Sequence, residues 1–300
     1  MTEPAAGAPV LLLGSGRSGT TWLADVLNCD RTFRFLFEPF NARKVAMMEH
    51  FVFHSQYLRS SCADLRYARP IHTIVAGAID HPWVVRRHGA ATSSRLLIKD
   101  IRAHLFARWI KDQYPQSLVI FLLRHPCAVA VSRTQLGWGT HLDELLGQPS
   151  LVEDHLGSCV DRLRSIRDPF EQHVCTWAIE NAVPLRQFRP AELCVVHYEH
   201  LVRRFDAEIG RLFSYLGRPE PPLEAAEVGR APSSLAAPHS AILQGEDPIE
   251  HWRGGCTRAQ IDRAIEILSW FQLDRIYGAD SLPLTHASTW RPDTGAGQNR

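Results

Sequence analysis

The chain has 300 residues, with 33 Lys and Arg against 32 Asp and Glu, so no overall field draws it to nucleic acid or a membrane. Any anion site must therefore be local. That 45% of the residues are hydrophobic supplies a large core and excludes a disordered or fibrous chain. The cysteines Cys29, Cys62, Cys127, Cys159, Cys175, Cys194 and Cys256 are odd in number and never spaced C-x-x-C. That argues against a disulfide framework or a zinc site and for a reducing compartment. Lys44, Lys99 and Lys111 are the only lysines, an Arg bias of the kind GC-rich bacterial genomes impose. The first nine residues carry no basic segment, and the apolar run 10–13 is too short to cross a membrane, so the expected place is the cytoplasm.

Short apolar runs at residues 10–13, 35–37, 96–98, 118–123 and 193–196 each fit a buried strand of a parallel sheet. Helical patterns at 20–27, 102–112, 128–136, 170–183 and 205–216 follow most of them. This β–α alternation predicts an α/β fold: a single domain over residues 1–280, its mostly parallel central sheet flanked by helices. Residues 137–167 are polar and mixed, as expected of a lid or acceptor-binding insertion, and 218–248 read as a surface linker. Thr257 and Gln260 form a capping-box pattern that opens a helix through Phe271. Residues 281–300 read as a mobile tail.

Between the first strand and its helix lies Gly14-Ser-Gly-Arg-Ser-Gly-Thr-Thr21. Glycines there let backbone N–H groups approach an anion, and the helix N-terminus adds partial positive charge, a P-loop-like phosphate site. A plain tight turn is the bland alternative. Gly14, Gly16 and Gly19 also satisfy the dinucleotide fingerprint, and Glu38 stands about 20 residues on, where a ribose-binding acid belongs. A third possibility, a nucleotide or nucleoside kinase, has the right glycine spacing but finds Thr20 where Lys is needed, and no strand-end acid for Mg²⁺. Arg17 inside the loop suits a phosphate or sulfate without β/γ-phosphates better than ATP.

The run 118–123 ends in Arg124-His125-Pro126, and Ser132 follows on the next helix. Arg and Ser at a strand's carboxyl edge can grip a second phosphate through paired hydrogen bonds; a surface Arg beside an unrelated Ser is the alternative.

Taken together, these segments resemble the 3′-phosphoadenosine-5′-phosphosulfate (PAPS)-dependent sulfotransferases. Gly16-Arg-Ser-Gly-Thr-Thr-Trp22 is similar to their 5′-phosphosulfate loop, and Arg124-His-Pro with Ser132 to their 3′-phosphate element. Leu36-Phe-Glu-Pro39 and Lys99-Asp-Ile-Arg102 resemble the carbohydrate, Golgi-type branch. His197-Tyr-Glu-His-Leu201 and Trp252-Arg-Gly-Gly255 resemble later family segments. The likeness spans residues 10–278 and departs in three ways. No membrane anchor is seen, Arg17 stands where many cytosolic members have Lys, and Ile101 stands where they place a catalytic His.

The resemblance implies transfer of a sulfuryl group to the hydroxyl of a small acceptor, a sugar, alcohol or phenol of the secondary-metabolite kind. The product would be adenosine 3′,5′-bisphosphate, with no metal, nucleic acid or membrane partner. It assigns Gly16, Arg17, Ser18, Gly19, Thr20, Thr21 and Trp22 to the 5′ side, with the amides of residues 18–21 on the phosphate. Arg124, Ser132, Arg253 and Gly254 go to the 3′-phosphate, and Tyr198 to adenine. Arg17 and Lys99 are expected to assist catalysis, Lys99 at the sulfuryl oxygens or simply paired with Asp100. Glu38 is the expected general base, its pKa raised by Phe35, Phe37 and Phe40. His104 and His125 are weaker candidates, and Trp138 is a candidate wall of the acceptor pocket. A non-catalytic nucleotide-binding module is the remaining alternative.

Overall fold

The structure, a computed structural model, describes residues 7–85, 93–218, 220–231 and 241–290. Five parallel strands form one sheet: β1 (Val10–Leu13), β2 (Arg34–Phe37), β3 (Leu96–Asp100), β4 (Leu118–Leu123) and β5 (Cys194–His197). They lie in the order β2-β3-β1-β4-β5. Side chains alternate between faces along a strand. Leu11, Leu13, Ile98, Val119 and Phe121 therefore enter one core, while Val10, Leu12, Leu97, Ile120 and Leu122 enter another. Burial on both faces is why these strands read as unbroken apolar runs.

Eight helices matter to the site: α1 (Thr20–Leu27), α2 (Leu65–Val75), α3 (Ala107–Gln113), α4 (Pro126–Gln135), α5 (Pro169–Gln187), α6 (Tyr198–Arg203), α7 (Phe205–Tyr215) and α8 (Arg258–Ser269). Apolar residues of α2, α3, α4, α5 and α8 cover the first core, and those of α1, α6 and α7 cover the second. This is the expected α/β fold, a parallel sheet flanked by helices, which here cover both its faces. Register aligns the carboxyl ends: Leu13 lies beside Asp100 and Phe121, Phe37 beside Lys99, and Leu123 beside His197. The residues following each strand therefore gather on one edge, where open α/β sheets place their ligands.

The order also disposes of the dinucleotide reading. In that fold the second strand lies next to the first. Here β3 separates them, so Glu38, after β2, is not beside the glycine loop in the way a ribose acid must be.

Several local expectations are corrected. The helix expected over 102–112 is a 3₁₀ turn, Ala103–Leu105, followed by α3. Phe106 interrupts it, its ring packed edge-on to Phe40 at 5.1 Å, so tertiary packing overrides propensity. Residues 137–167 are folded onto the core as short helical turns, with Leu142, Leu145, Leu151, Leu156 and Leu163 at most 1% exposed. Leucines at helical spacing were hidden by the polar residues around them. The linker 218–248 contains a helix, Glu224–Arg230, whose Gly229 carbonyl accepts from Trp22 Nε1 at 3.2 Å.

The first half of the tail is docked: His197 Nε2 accepts from the Ala287 amide (3.0 Å), and Trp290 Nε1 donates to the Gln272 carbonyl (2.7 Å). Residues 291–300 lie outside the described residues. The capping box of α8 is present, Thr257 and Gln260 each accepting the other's amide. Among the described residues, no helix is long and apolar enough to cross a membrane.

Candidate active site

The loop after β1 is shaped by glycines that nothing larger could replace. Gly19 sits at φ 96°, and a Cβ there would lie 2.8 Å from the Tyr198 ring. A Cβ on Gly16 would lie 2.7 Å from Trp138. Beyond Gly19, the first helical bond of α1 is donated by Leu23 to the Gly19 carbonyl, so the amides of Thr20, Thr21 and Trp22 have no partner within the helix. Thr20, Thr21 and Trp22 line a pocket. Its wall also includes Arg17, Glu38, Lys99, Ile101, Arg124, Ser132, Trp138, Tyr198 and Trp252. Ser18 is set apart from this group. It is fully buried, does not line the pocket, and its amide is held by the Ser15 carbonyl at 3.1 Å.

Arg17 is held in the left-handed region at φ 80°, its Nε donating to Ser132 Oγ at 3.1 Å. Burial, followed by the charges of Arg124 and Arg133, lowers its pKa from the ordinary arginine value. A bound anion would reverse that penalty, so the cluster favours one. Arg124 lies 4.3 Å over the Tyr198 ring and donates to the carbonyls of Arg17 and Pro248, at 3.1 Å each. Trp22 meets the same Tyr198 edge-on at 5.8 Å. Arg17, Ser132 and Arg124, far apart in sequence, thus share one wall, as the spacing of the two motifs led us to expect.

Two expected members of the phosphate site are elsewhere. Arg253 donates to Glu250 (2.9 Å), Ser281 (3.1 Å) and the Ala279 carbonyl (2.8 Å), and does not line the pocket. Gly254 has open space around its Cα, whereas a Cβ on Gly255 would lie 2.4 Å from Val131. The close approach read from that segment belongs to Gly255. What the segment brings to the pocket is His251 and Trp252. Trp252 is stacked 4.4 Å from the His125 ring.

Across the pocket stands Glu38, 8% exposed and at φ 44°. Lys99 Nζ reaches its Oε1 at 2.6 Å, and Arg102 Nη1 its Oε2 at 2.9 Å. Burial pushes the carboxyl up, but the adjacent Lys99 and Arg102 charges and their hydrogen bonds outweigh it, and its pKa lies below the usual carboxylate value. This corrects the expectation that phenylalanines raise it. Lys99 is also corrected. Its contact is with Glu38, while Asp100 accepts instead from the amides of Phe40 (3.0 Å) and Arg102 (2.7 Å). Burial lowers the Lys99 pKa, and Glu38 pulls it back. Asp100 thereby ties the turn after Glu38 to the turn that carries Arg102.

Neither His104 nor His125 lines the pocket that Glu38 lines. His104 is fully buried beside Ser55 (3.4 Å) and Glu180 (3.6 Å) and does not line the pocket. His125 caps α4 through Nδ1 and meets the Gly278 carbonyl at 3.1 Å; burial lowers its pKa to about 4.

Sequence reasoning missed Arg133 and Glu180, which pair at 2.9 Å behind the loop. A signal was available: Glu180 and Asn181 interrupt the apolar run of α5 between Ile179 and Ala182, and a charge inside such a run requires a buried partner.

Residues 9–222 match the model of the Sulfotransferase family, and the chain belongs to that family. It is accordingly an enzyme of the sulfotransferase class, and the match does not favour a kinase. No curated protein sequence matches the chain significantly. Among solved structures, it is similar to the sulfotransferase domain from the curacin biosynthetic pathway: 16% identity, 92% of this chain and 99% of that one, TM-score 0.53. It is also similar to the sulfotransferase domain from the Synechococcus PCC 7002 olefin synthase: 18% identity, 90% of this chain and 97% of that one, TM-score 0.51. At these identities the likeness is one of fold.

Proposed function

We propose that the enzyme moves the sulfuryl group of PAPS to a hydroxyl of a small acceptor by in-line displacement, with Glu38 as general base. The observation that carries the reading is that Arg17 of the loop, Arg124 and the buried carboxylate of Glu38 line one pocket. In this assignment, the amides of residues 20–22 and the Thr20 and Thr21 hydroxyls hold the 5′-phosphate. Arg17 stabilises charge on the leaving phosphate and bridging oxygen. Arg124 and Ser132 take the 3′-phosphate, and Tyr198 and Trp22 flank adenine. The donor set, guanidinium groups with hydroxyls and helix N-terminal amides, suits two phosphates.

Glu38 takes the acceptor's proton. Lys99 divides its charge between Glu38 and the sulfuryl oxygens, so that drawing the ammonium toward the sulfuryl group raises the basicity of Glu38. Ile101 and Trp138, both against Gly16, add apolar surface to the pocket that this carboxylate lines. A sulfation screen of hydroxyl compounds with labelled PAPS would identify the acceptor.

The second-phosphate assignment has a sharp test. Arg124→Ala should weaken adenosine 3′,5′-bisphosphate by about 1.5–3 kcal/mol more than it weakens AMP, because only the former carries the second phosphate. Calorimetry with both ligands reads this directly. Equal weakening of the two would place Arg124 outside that site.

A further inference from the structure

Three successive carbonyls of the phosphate loop are each held by a donor from the protein. Ser15 accepts from the Ser18 amide at 3.1 Å, Gly16 from Arg133 Nε at 3.3 Å, and Arg17 from Arg124 Nη1 at 3.1 Å. A loop that binds an anion through N–H groups has to turn its carbonyl dipoles away, since an inward carbonyl repels the ligand. Of the two side-chain donors, Arg124 lines the pocket and Arg133 does not.

Its guanidinium is 4% exposed and works as a fork: Nε meets Gly16, and Nη2 meets Glu180 Oε2 at 2.9 Å. Glu180 is 1% exposed, and its neighbour Asn181 donates through Nδ2 to Ser15 Oγ at 3.0 Å. Consecutive residues of α5 therefore set consecutive residues of the loop, one directly and one through Arg133. A buried ion pair is a poor device for stability, because apolar side chains of like size often serve as well. The Gly16 contact supplies a different reason for it.

We propose that Arg133 and Glu180 are positioning residues that hold the Gly16 carbonyl out of the anion site, so that the loop meets phosphate with N–H groups alone. This rests on the reading of the loop as the donor's phosphate site. Glu180 fixes the fork's orientation, and Arg133 fixes the peptide.

The test separates folding from binding. Arg133→Met/Glu180→Met replaces the pair with apolar groups of like size and also removes Glu180 from Ser55 and His104. Its thermal midpoint should fall by less than that of Glu180→Met alone, which leaves Arg133 buried and unpaired. The double variant's affinity for adenosine 3′,5′-bisphosphate should fall about 10- to 150-fold, the equivalent of one charge-assisted hydrogen bond. Arg133→Lys keeps a charge facing Glu180 but has no second arm for Gly16, and should lose affinity comparably. In turnover assays, both should raise the donor KM and leave the acceptor KM unchanged. Wild-type affinity in the double variant, or in Arg133→Lys should the double variant not fold, overturns the inference and reduces the pair to a structural element. A wild-type enzyme that does not bind adenosine 3′,5′-bisphosphate overturns the donor reading itself, and this inference with it.

Discussion

Glu38→Gln should leave adenosine 3′,5′-bisphosphate binding nearly intact while turnover falls about 10²- to 10⁴-fold, the usual loss on removing a general base. The substitution keeps the side chain's shape and one acceptor oxygen but removes its charge and basicity. Lys99 and Arg102 would then face a neutral amide, and buried Lys99 would lose its counter-charge. A lower thermal midpoint should therefore accompany the loss of rate.

The pH dependence follows with a definite sign. The folded pKa of Glu38 is depressed below the unfolded value of about 4.3. Its contribution to stability is therefore present above about pH 4.3 and lost as pH falls through the folded value. The acid limb of kcat/KM should lie below the ordinary carboxylate range in the wild type and lose its Glu38 component in the variant. Near-normal turnover of Glu38→Gln with PAPS and a true acceptor would put the base elsewhere.

Arg17→Gly should cost activity without costing stability. Loss of a donor aimed at developing charge lowers kcat by about 10²- to 10³-fold. Yet Arg17 occupies left-handed backbone at φ 80°, a conformation that disfavours side chains by about 1–2 kcal/mol. Its charge is also crowded by Arg124 and Arg133. Glycine relieves both penalties, which offsets its greater freedom in the unfolded chain. The thermal midpoint of the apo protein should thus be unchanged or higher while turnover collapses. A variant that keeps its rate would show that Arg17 is not the residue at the leaving phosphate.

How much of this was legible beforehand depended on whether the signal was local. β1, the glycine loop and α1 lie within residues 10–27 and were read within a residue, since strand, loop and helix chemistry are consecutive there. That Arg124 and Ser132 line one pocket was legible, because a strand end and the next helix fix their relative place. The state of Glu38 was not legible. Its phenylalanine neighbours in sequence suggested desolvation, while the cations that decide its pKa come from β3 and the turn after it. Arg253 failed for a similar reason: a motif can name a residue, but Glu250, Ser281 and the Ala279 carbonyl, supplied partly by the docked tail, decide where its guanidinium goes. Helix α2 was hidden by Pro70 within it and by an arginine-rich exposed face. Glu180 was visible as an anomaly in an apolar run, but its partner Arg133 emerged only when α4 and α5 packed together.

The most direct measurement is calorimetric titration of the wild-type enzyme with adenosine 3′,5′-bisphosphate in the presence of EDTA, set beside AMP and ATP. One site is predicted, tighter for adenosine 3′,5′-bisphosphate than for AMP by about 1.5–3 kcal/mol, the worth of the Arg124 contact to the second phosphate. Chelation should leave the affinity unchanged, because guanidinium groups, hydroxyls and helix amides form the whole donor set. Absence of binding, or an affinity that collapses when metal is removed, would contradict the assignment of this pocket to a PAPS-type donor.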